Sequence, residues 1–192
     1  PPRSTLFPYT TLFRSEILAA QGIQSLTTKN LAQAVGISEP ALYRHFENKH
    51  AILMGILDTF EETACVVFDQ MDLKLPALIN IKMFIYDRYQ RFSQYPALAK
   101  VMLAETVFDF DPDLALRILD IMHRHRDVLM EIIKQGQVKK ELREDIKPKE
   151  LFRLIIGSMR LIIQQWTFSG FKFDLKTEGA ALWNALEKIL QP

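Results

Sequence analysis

The stretch Thr27 to Phe46, TTKNLAQAVGISEPALYRHF, has the spacing that two short helices crossing steeply through a tight turn demand. Thr28 is placed to cap the first helix, whose apolar face is Leu31, Ala32 and Val35, and Gly36 breaks it. Ala32 is small where the second helix must approach the first, and Gly36 permits the turn between them. Ser38 caps the second helix, and Pro40 stands in its first turn, where a missing N–H costs nothing. Leu42 and Phe46 form an inward i, i+4 pair, and Leu31, Val35, Ile37 and Leu42 fill the shared core. With Leu42 pointing inward and about 100° per residue, Pro40, Ala41, Tyr43 and Arg44 face outward.

A helix presenting such groups can enter the major groove of DNA. There Ala41 can meet a thymine methyl and Arg44 can bind guanine or phosphate, while Tyr43 and His45 suit the backbone. Thr28 and Ser38 lie at helix starts, where free N–H groups and hydroxyls together make phosphate sites, and Lys29 and Lys49 add charge on the flanks. The segment from Glu16 to Leu53 is nonetheless balanced, with Lys29, Arg44 and Lys49 against Glu16, Glu39 and Glu47. Its electrostatic footprint is therefore thin for a nucleic-acid binder.

Gly22 to Leu53 resembles the DNA-binding domain of the TetR/AcrR family, with T-T-x-x-L-A, V-G-I-S and L-Y-x-H-F-x-x-K in register. The resemblance implies that Thr28 and Lys29 touch phosphate, that Glu39, Pro40, Ala41, Tyr43, Arg44 and His45 read the site, and that Lys49 anchors the start of the fourth helix. It further implies a homodimer on a palindromic operator, usually repressing, with a ligand in the second domain that spreads the two heads. The same fold serving as a DNA-bound adaptor to a protein partner, with no metabolite sensed, is the alternative.

Residues 1–15, PPRSTLFPYTTLFRS, show no periodicity and resemble the translation of a sequencing-library adapter. They are read as an artefactual leader and left out of fold and charge arguments. The full chain carries a formal charge of +1; without these residues it has 22 basic and 23 acidic side chains, a net charge of −1. Overall charge thus argues neither for nor against a nucleic-acid partner. On this reading the authentic start, with the first half of helix one and any basic arm, is missing.

The remaining pattern is helical throughout. Glu16 to Gln21 is the end of a helix stopped by Gly22; a longer helix runs from about Lys49 to Met71, and others from Pro76 to about Tyr95, Pro96 to about Phe108, and Pro112 to about Lys140. Lys139 to Lys147 is charge-rich and non-periodic; Pro148 restarts a helix that ends near Ser169 and Gly170, and a last one occupies about Leu175 to Leu190. The expectation is all-α, about nine helices: a three-helix helix-turn-helix domain over 16–48 and a helical ligand-sensing and dimerisation domain over 49–192.

Within the second part, Phe152, Ile155, Ile156, Met159, Ile163 and Trp166 make a broad apolar surface, and the last helix adds Leu182, Trp183, Leu186 and Ile189. Two such helices resemble the pair that forms a four-helix dimer interface in the family; Phe152, Ile156, Met159, Ile163, Trp166, Leu182, Leu186 and Ile189 are the interface candidates. The pocket for a small hydrophobic or amphipathic ligand is expected among Met83, Tyr86, Tyr89, Phe92, Met102, Phe108, His123 and Met130, an apolar lining with a few polar handles.

Metal is not expected: His123 and His125, two apart on a helix, diverge by about 200°. No nucleophile stands with a base at motif spacing and no glycine-rich phosphate loop occurs, so neither an enzyme nor a cofactor is expected. Apolar runs such as Leu154 to Met159 are cut by Ser158, Arg160 and Gln164, short of a membrane span. The one cysteine, Cys65, reads as a small core residue; with no signal segment, the expected setting is bacterial cytoplasm, in association with the nucleoid.

Overall fold

Helix α1, Lys49–Gln70, starts where Asn48 turns its side chain back to accept the Ala51 N–H at 2.9 Å. The computed structural model describes Pro40 and residues 46–103 and 111–192. The described residues hold five further helices, α2 (Ala77–Gln94), α3 (Pro96–Met102), α4 (Pro112–Val138), α5 (Pro148–Phe168) and α6 (Leu175–Leu190), and no strand. All-α is thus the architecture. The expected total of about nine helices is not reached among the described residues, which give six complete ones, and the helices expected before Lys49 lie almost wholly outside them.

Proline and carboxylates set the starts. Asp111 caps α4 by accepting the Leu114 N–H at 3.1 Å, with Pro112 in the first turn; Asp174 caps α6 by accepting from Lys176 and Thr177. Helix α2 has no side-chain cap of its own, and the Ala77 N–H instead donates to Glu141 Oε2 at 2.7 Å, a loan from the loop after α4. The turn between α1 and α2 is closed by buried Asn80, whose Nδ2 donates to the Asp72 carbonyl at 2.9 Å while its Oδ1 accepts the Asp72 N–H at 3.3 Å. The charged stretch 139–147 is a loop pinned by Gln137, whose Nε2 donates to the carbonyls of Arg143 and Ile146.

Helix α2 is the hub, packing against each of the other five described helices. Its inward stripe, Ala77, Ile81, Phe84, Ile85, Tyr89 and Phe92, meets Leu57 and Phe60 of α1, Leu114, Ile118 and Ile121 of α4, and Trp183 and Leu186 of α6 in one continuous core. Helices α2 and α6 approach closely at Gly179, where a Cβ would lie 2.3 Å from the Tyr89 ring. Between α1 and α4 the seam is ionic: Glu61, buried, pairs with Arg117 and Arg124, and Arg117 also holds Asp58 at 2.7 Å. Cys65 is exposed on α1, a correction to its expected place in the core: the inward stripe passes through Phe60, Ala64 and Val67.

Candidate functional site

The expected DNA-contacting residues Thr28, Lys29, Ser38, Glu39, Ala41, Tyr43, Arg44 and His45 lie outside the described residues. Pro40 is helical and exposed, and Lys49 is the first residue of α1. Phe46, the last residue of the motif, is half-buried against the main core, where its ring meets the backbone at Gly55 closely enough that a Cβ there would lie 3.2 Å from Cε1. The motif therefore ends on the body of α1.

Four residues further on, His50 Nδ1 stands 2.7 Å from Asp111 Oδ2. Burial works to raise the Asp111 carboxyl, but the hydrogen bonds from His50 and the Leu114 N–H outweigh it and hold it below the usual carboxylate range. One side chain thus caps α4 and grips the first turn of α1.

The expected pocket residues separate. Tyr89 and Phe92 are buried in the core, and Met83, Met102 and Met130 are half-buried, Met102 packing against that core. Phe108 lies outside the described residues. Tyr86 and His123 are exposed, because the inward positions of α2 fall at 81, 84, 85, 88, 89 and 92 and the inward histidine of α4 is His125. None of the seven described candidates borders the open polar cleft of about 460 Å³ formed by Gln90, Ser93, Gln94, Pro96 and Lys176.

Two polar residues absent from the expected set occupy the aromatic interior. The Arg88 guanidinium, 2% exposed, lies over the Phe60 and Phe84 rings at 5.0 and 5.1 Å from their centroids. Burial draws its pKa down to about 10, helped by Arg91 and opposed by Asp87, so it remains a cation at neutral pH. The His125 ring packs against Phe60, Phe68 and Phe84 with centroids 5.9, 5.0 and 5.9 Å away. Burial, then the charges of Arg88 and Arg124, push its pKa down to about 3, which leaves a neutral imidazole. The legible signal for Arg88 was its position: a charge at the inward i+7 place of a stripe whose other members are apolar or aromatic.

Of the interface candidates, Met159, Ile163, Trp166 and Leu186 are buried inside the subunit, and the Trp166 Nε1–H donates to the Phe173 carbonyl at 2.9 Å. Phe152, Ile156 and Leu182 are half-buried, and Ile189 is exposed. The outward apolar residues of α5 and α6 are instead Leu154, Leu161, Phe168 and Ile189, and beside them Gly157 has nothing within 4 Å of a built Cβ. Among the described residues no helix is long and apolar enough to cross a membrane, and no cluster of His, Cys, Asp or Glu has metal-site geometry.

Residues 15–55 match the pattern of the bacterial regulatory proteins of the tetR family, and residues 60–188 match that of the C-terminal region of YsiA-like proteins. Among curated relatives, the nucleoid occlusion factor SlmA of Vibrio vulnificus is 24% identical over 169 residues, covering 88% of this chain and 86% of its own. Its counterpart in Idiomarina loihiensis is 26% identical, covering 87% and 86%. Similar solved structures include the regulator FadR of Bacillus subtilis in complex with stearoyl-CoA, at 18% identity and a TM-score of 0.66 over 97% of this chain and all of that one. PfmR of Thermus thermophilus, a TetR-family regulator, aligns at 20% identity and a TM-score of 0.71 over 92% of this chain and 98% of that one.

Proposed function

Because the chain belongs to the TetR family of bacterial DNA-binding transcriptional regulators, we propose that it is a repressor released from a palindromic operator by a small hydrophobic or amphipathic ligand. The observation that carries this is the junction: the DNA-binding pattern ends on α1, whose first turn is gripped through His50 by the cap of α4 in the helical body. A shift of α4 therefore has a direct mechanical route to the operator-binding head. Ligand would act by favouring one of two head spacings, only one of which matches half-sites a helical turn apart.

In this reading Thr28, Lys29 and Ser38 bind phosphate, Glu39, Pro40, Ala41 and Arg44 meet base edges in the groove, and Tyr43, His45 and Lys49 hold the backbone. The functional boundary falls between 48 and 49. Two copies pair through α5 and α6, using the outer face of Leu154, Leu161, Phe168 and Ile189. The test is selection of bound duplexes from fragmented genomic DNA: the expected outcome is enrichment of one palindrome whose binding weakens steeply with salt, and enrichment of no sequence would contradict it.

A second reading is favoured by the curated relatives, which are nucleoid occlusion factors. A DNA-bound adaptor of the same fold would act through a protein partner, and a hydrophobic ligand library would then leave its thermal stability unchanged.

A further inference from the structure

Among the described residues, Arg88 is a buried charged side chain whose hydrogen bonding the fold leaves incomplete. Its guanidinium is enclosed by protein, yet Nε, Nη1 and Nη2 have no hydrogen-bond partner among the described residues. Its ionic neighbour is Asp87: Oδ2 lies 2.7 Å from Nη2, but the contact lacks hydrogen-bond geometry, and the same oxygen accepts the Arg91 Nε–H at 2.7 Å. Buried Glu61, across on α1, is engaged by Arg117 and Arg124. A guanidinium offers five N–H groups in a planar fork, and burying it without acceptors is expensive enough that an apolar side chain would serve packing better.

His125 stands across the same rings. It shares Phe60 and Phe84 with Arg88, and its Nε2 is likewise buried without a partner. Phe60 is stacked on Phe92 at 6.0 Å and Phe68 on Phe84 at 6.0 Å, so the two polar groups are walled by aromatic surface. One cationic fork and one neutral imidazole suit two oxygens sharing a single negative charge. A dianion such as phosphate would leave charge uncompensated in this setting.

Resting on the sensor reading above, we propose that the ligand is an amphipathic monocarboxylate, its carboxylate held by Arg88 with His125 as the second polar contact, and its apolar chain against Phe60, Phe84 and Phe92. Binding would place acceptors on Nε and Nη1 and add one to Nη2 beside its ion pair with Asp87, inside the helix that touches every other described helix.

The experiment measures thermal stability and calorimetric affinity of the full chain with decanoate, methyl decanoate and decanoyl-CoA, for the wild type, Arg88→Met and Arg88→Lys. The wild type is expected to bind decanoate at least about tenfold more tightly than the methyl ester, and Arg88→Met to lose that preference. Ligand-free Arg88→Met is expected to unfold at or above the wild-type temperature, which separates ligand binding from a structural role. Should Arg88→Met fail to fold, Arg88→Lys decides: it keeps the charge without the fork and is expected to weaken decanoate alone by about tenfold. Equal binding of acid and ester by the wild type, an acid preference undiminished in Arg88→Met, or decanoate affinity unchanged in Arg88→Lys overturns the proposal. If methyl decanoate or decanoyl-CoA stabilises the protein and releases operator while decanoate does not, the carboxylate proposal falls and the sensor reading stands. If no probe shifts stability and none from a wider hydrophobic library does, both fall.

Discussion

His50 Nδ1 and Asp111 Oδ2, 61 residues apart in the chain, meet at 2.7 Å and join the first turn of α1 to the N-terminus of α4. Asp111 serves two masters, since its other oxygen accepts the Leu114 N–H. Asp111→Asn keeps an acceptor for the cap and is expected to cost less than Asp111→Ala, which should lose about 1 kcal/mol of stability in urea unfolding. Because the folded-state carboxyl is held below its ordinary value, its stabilisation is present above about pH 4 and is lost as acid titrates the group, so Asp111→Ala should flatten the acid limb of the stability profile.

His125 works in the opposite protonation sense. Its imidazole is kept neutral in the fold, with a pKa pushed down to about 3 by burial first and then by Arg88 and Arg124, while the unfolded chain takes up a proton near the ordinary histidine value. Between roughly pH 6.5 and pH 3 the unfolded state therefore binds more protons, and stability falls as pH is lowered through that window, by at most about 1.4 kcal/mol per pH unit for one group. Urea unfolding at pH 7.5 and pH 5 should show this loss, and His125→Phe should remove most of it. An unchanged slope in the variant would place the acid sensitivity elsewhere.

Two glycines should respond oppositely to the same methyl group. Gly179→Ala drives a Cβ to within 2.3 Å of the Tyr89 ring, in the contact between α2 and α6, and is expected to destabilise by about 1–3 kcal/mol despite alanine's better helix propensity. Gly157→Ala meets nothing within 4 Å in its own subunit, so a single subunit should gain up to about 1 kcal/mol from the propensity term. Thermal melts of the two variants check the contrast.

The outer face of α5 supplies the next prediction. Phe168 is 81% exposed and Leu161 55%, apolar surface that a partner copy would cover. Leu161→Glu is expected to convert a dimer to a monomer in light scattering while leaving the helical circular dichroism intact. Dimers of unchanged stability would remove this face from the interface.

The fold class, and nearly all the helix boundaries within the described residues, were legible because prolines and carboxylate caps punctuate the chain: Pro96, Asp111 with Pro112, Pro148 and Asp174 mark starts that propensity alone would blur. The phase of each helix was harder to read. A broad apolar stripe on α5 offers two faces, and which one turns inward is decided by Trp183 and Phe171, which belong to other parts of the chain. The same ambiguity put His123 rather than His125 among the pocket candidates and passed over Arg88, since an arginine is ordinarily read as a solvated position. The family pattern over residues 15–55 was legible from the spacing of T-T-x-x-L-A, V-G-I-S and L-Y-x-H-F-x-x-K, while nearly all the expected DNA-contacting side chains lie outside the described residues.

On the DNA side, Tyr43→Ala and Lys49→Ala are expected to weaken operator binding across all sequence variants, with Lys49→Ala also reducing the salt slope by about one. Arg44→Ala should relax preference at one base pair, costing about 1–3 kcal/mol against the preferred operator. Equal losses across operator variants would assign Arg44 to phosphate.

The decisive measurement is operator affinity, by fluorescence anisotropy at fixed salt, with and without a saturating ligand chosen for the stability it confers. Coupling between the helical body and the head predicts a fall in affinity of about 5–150-fold. Affinity left unchanged by every stabilising ligand would contradict it.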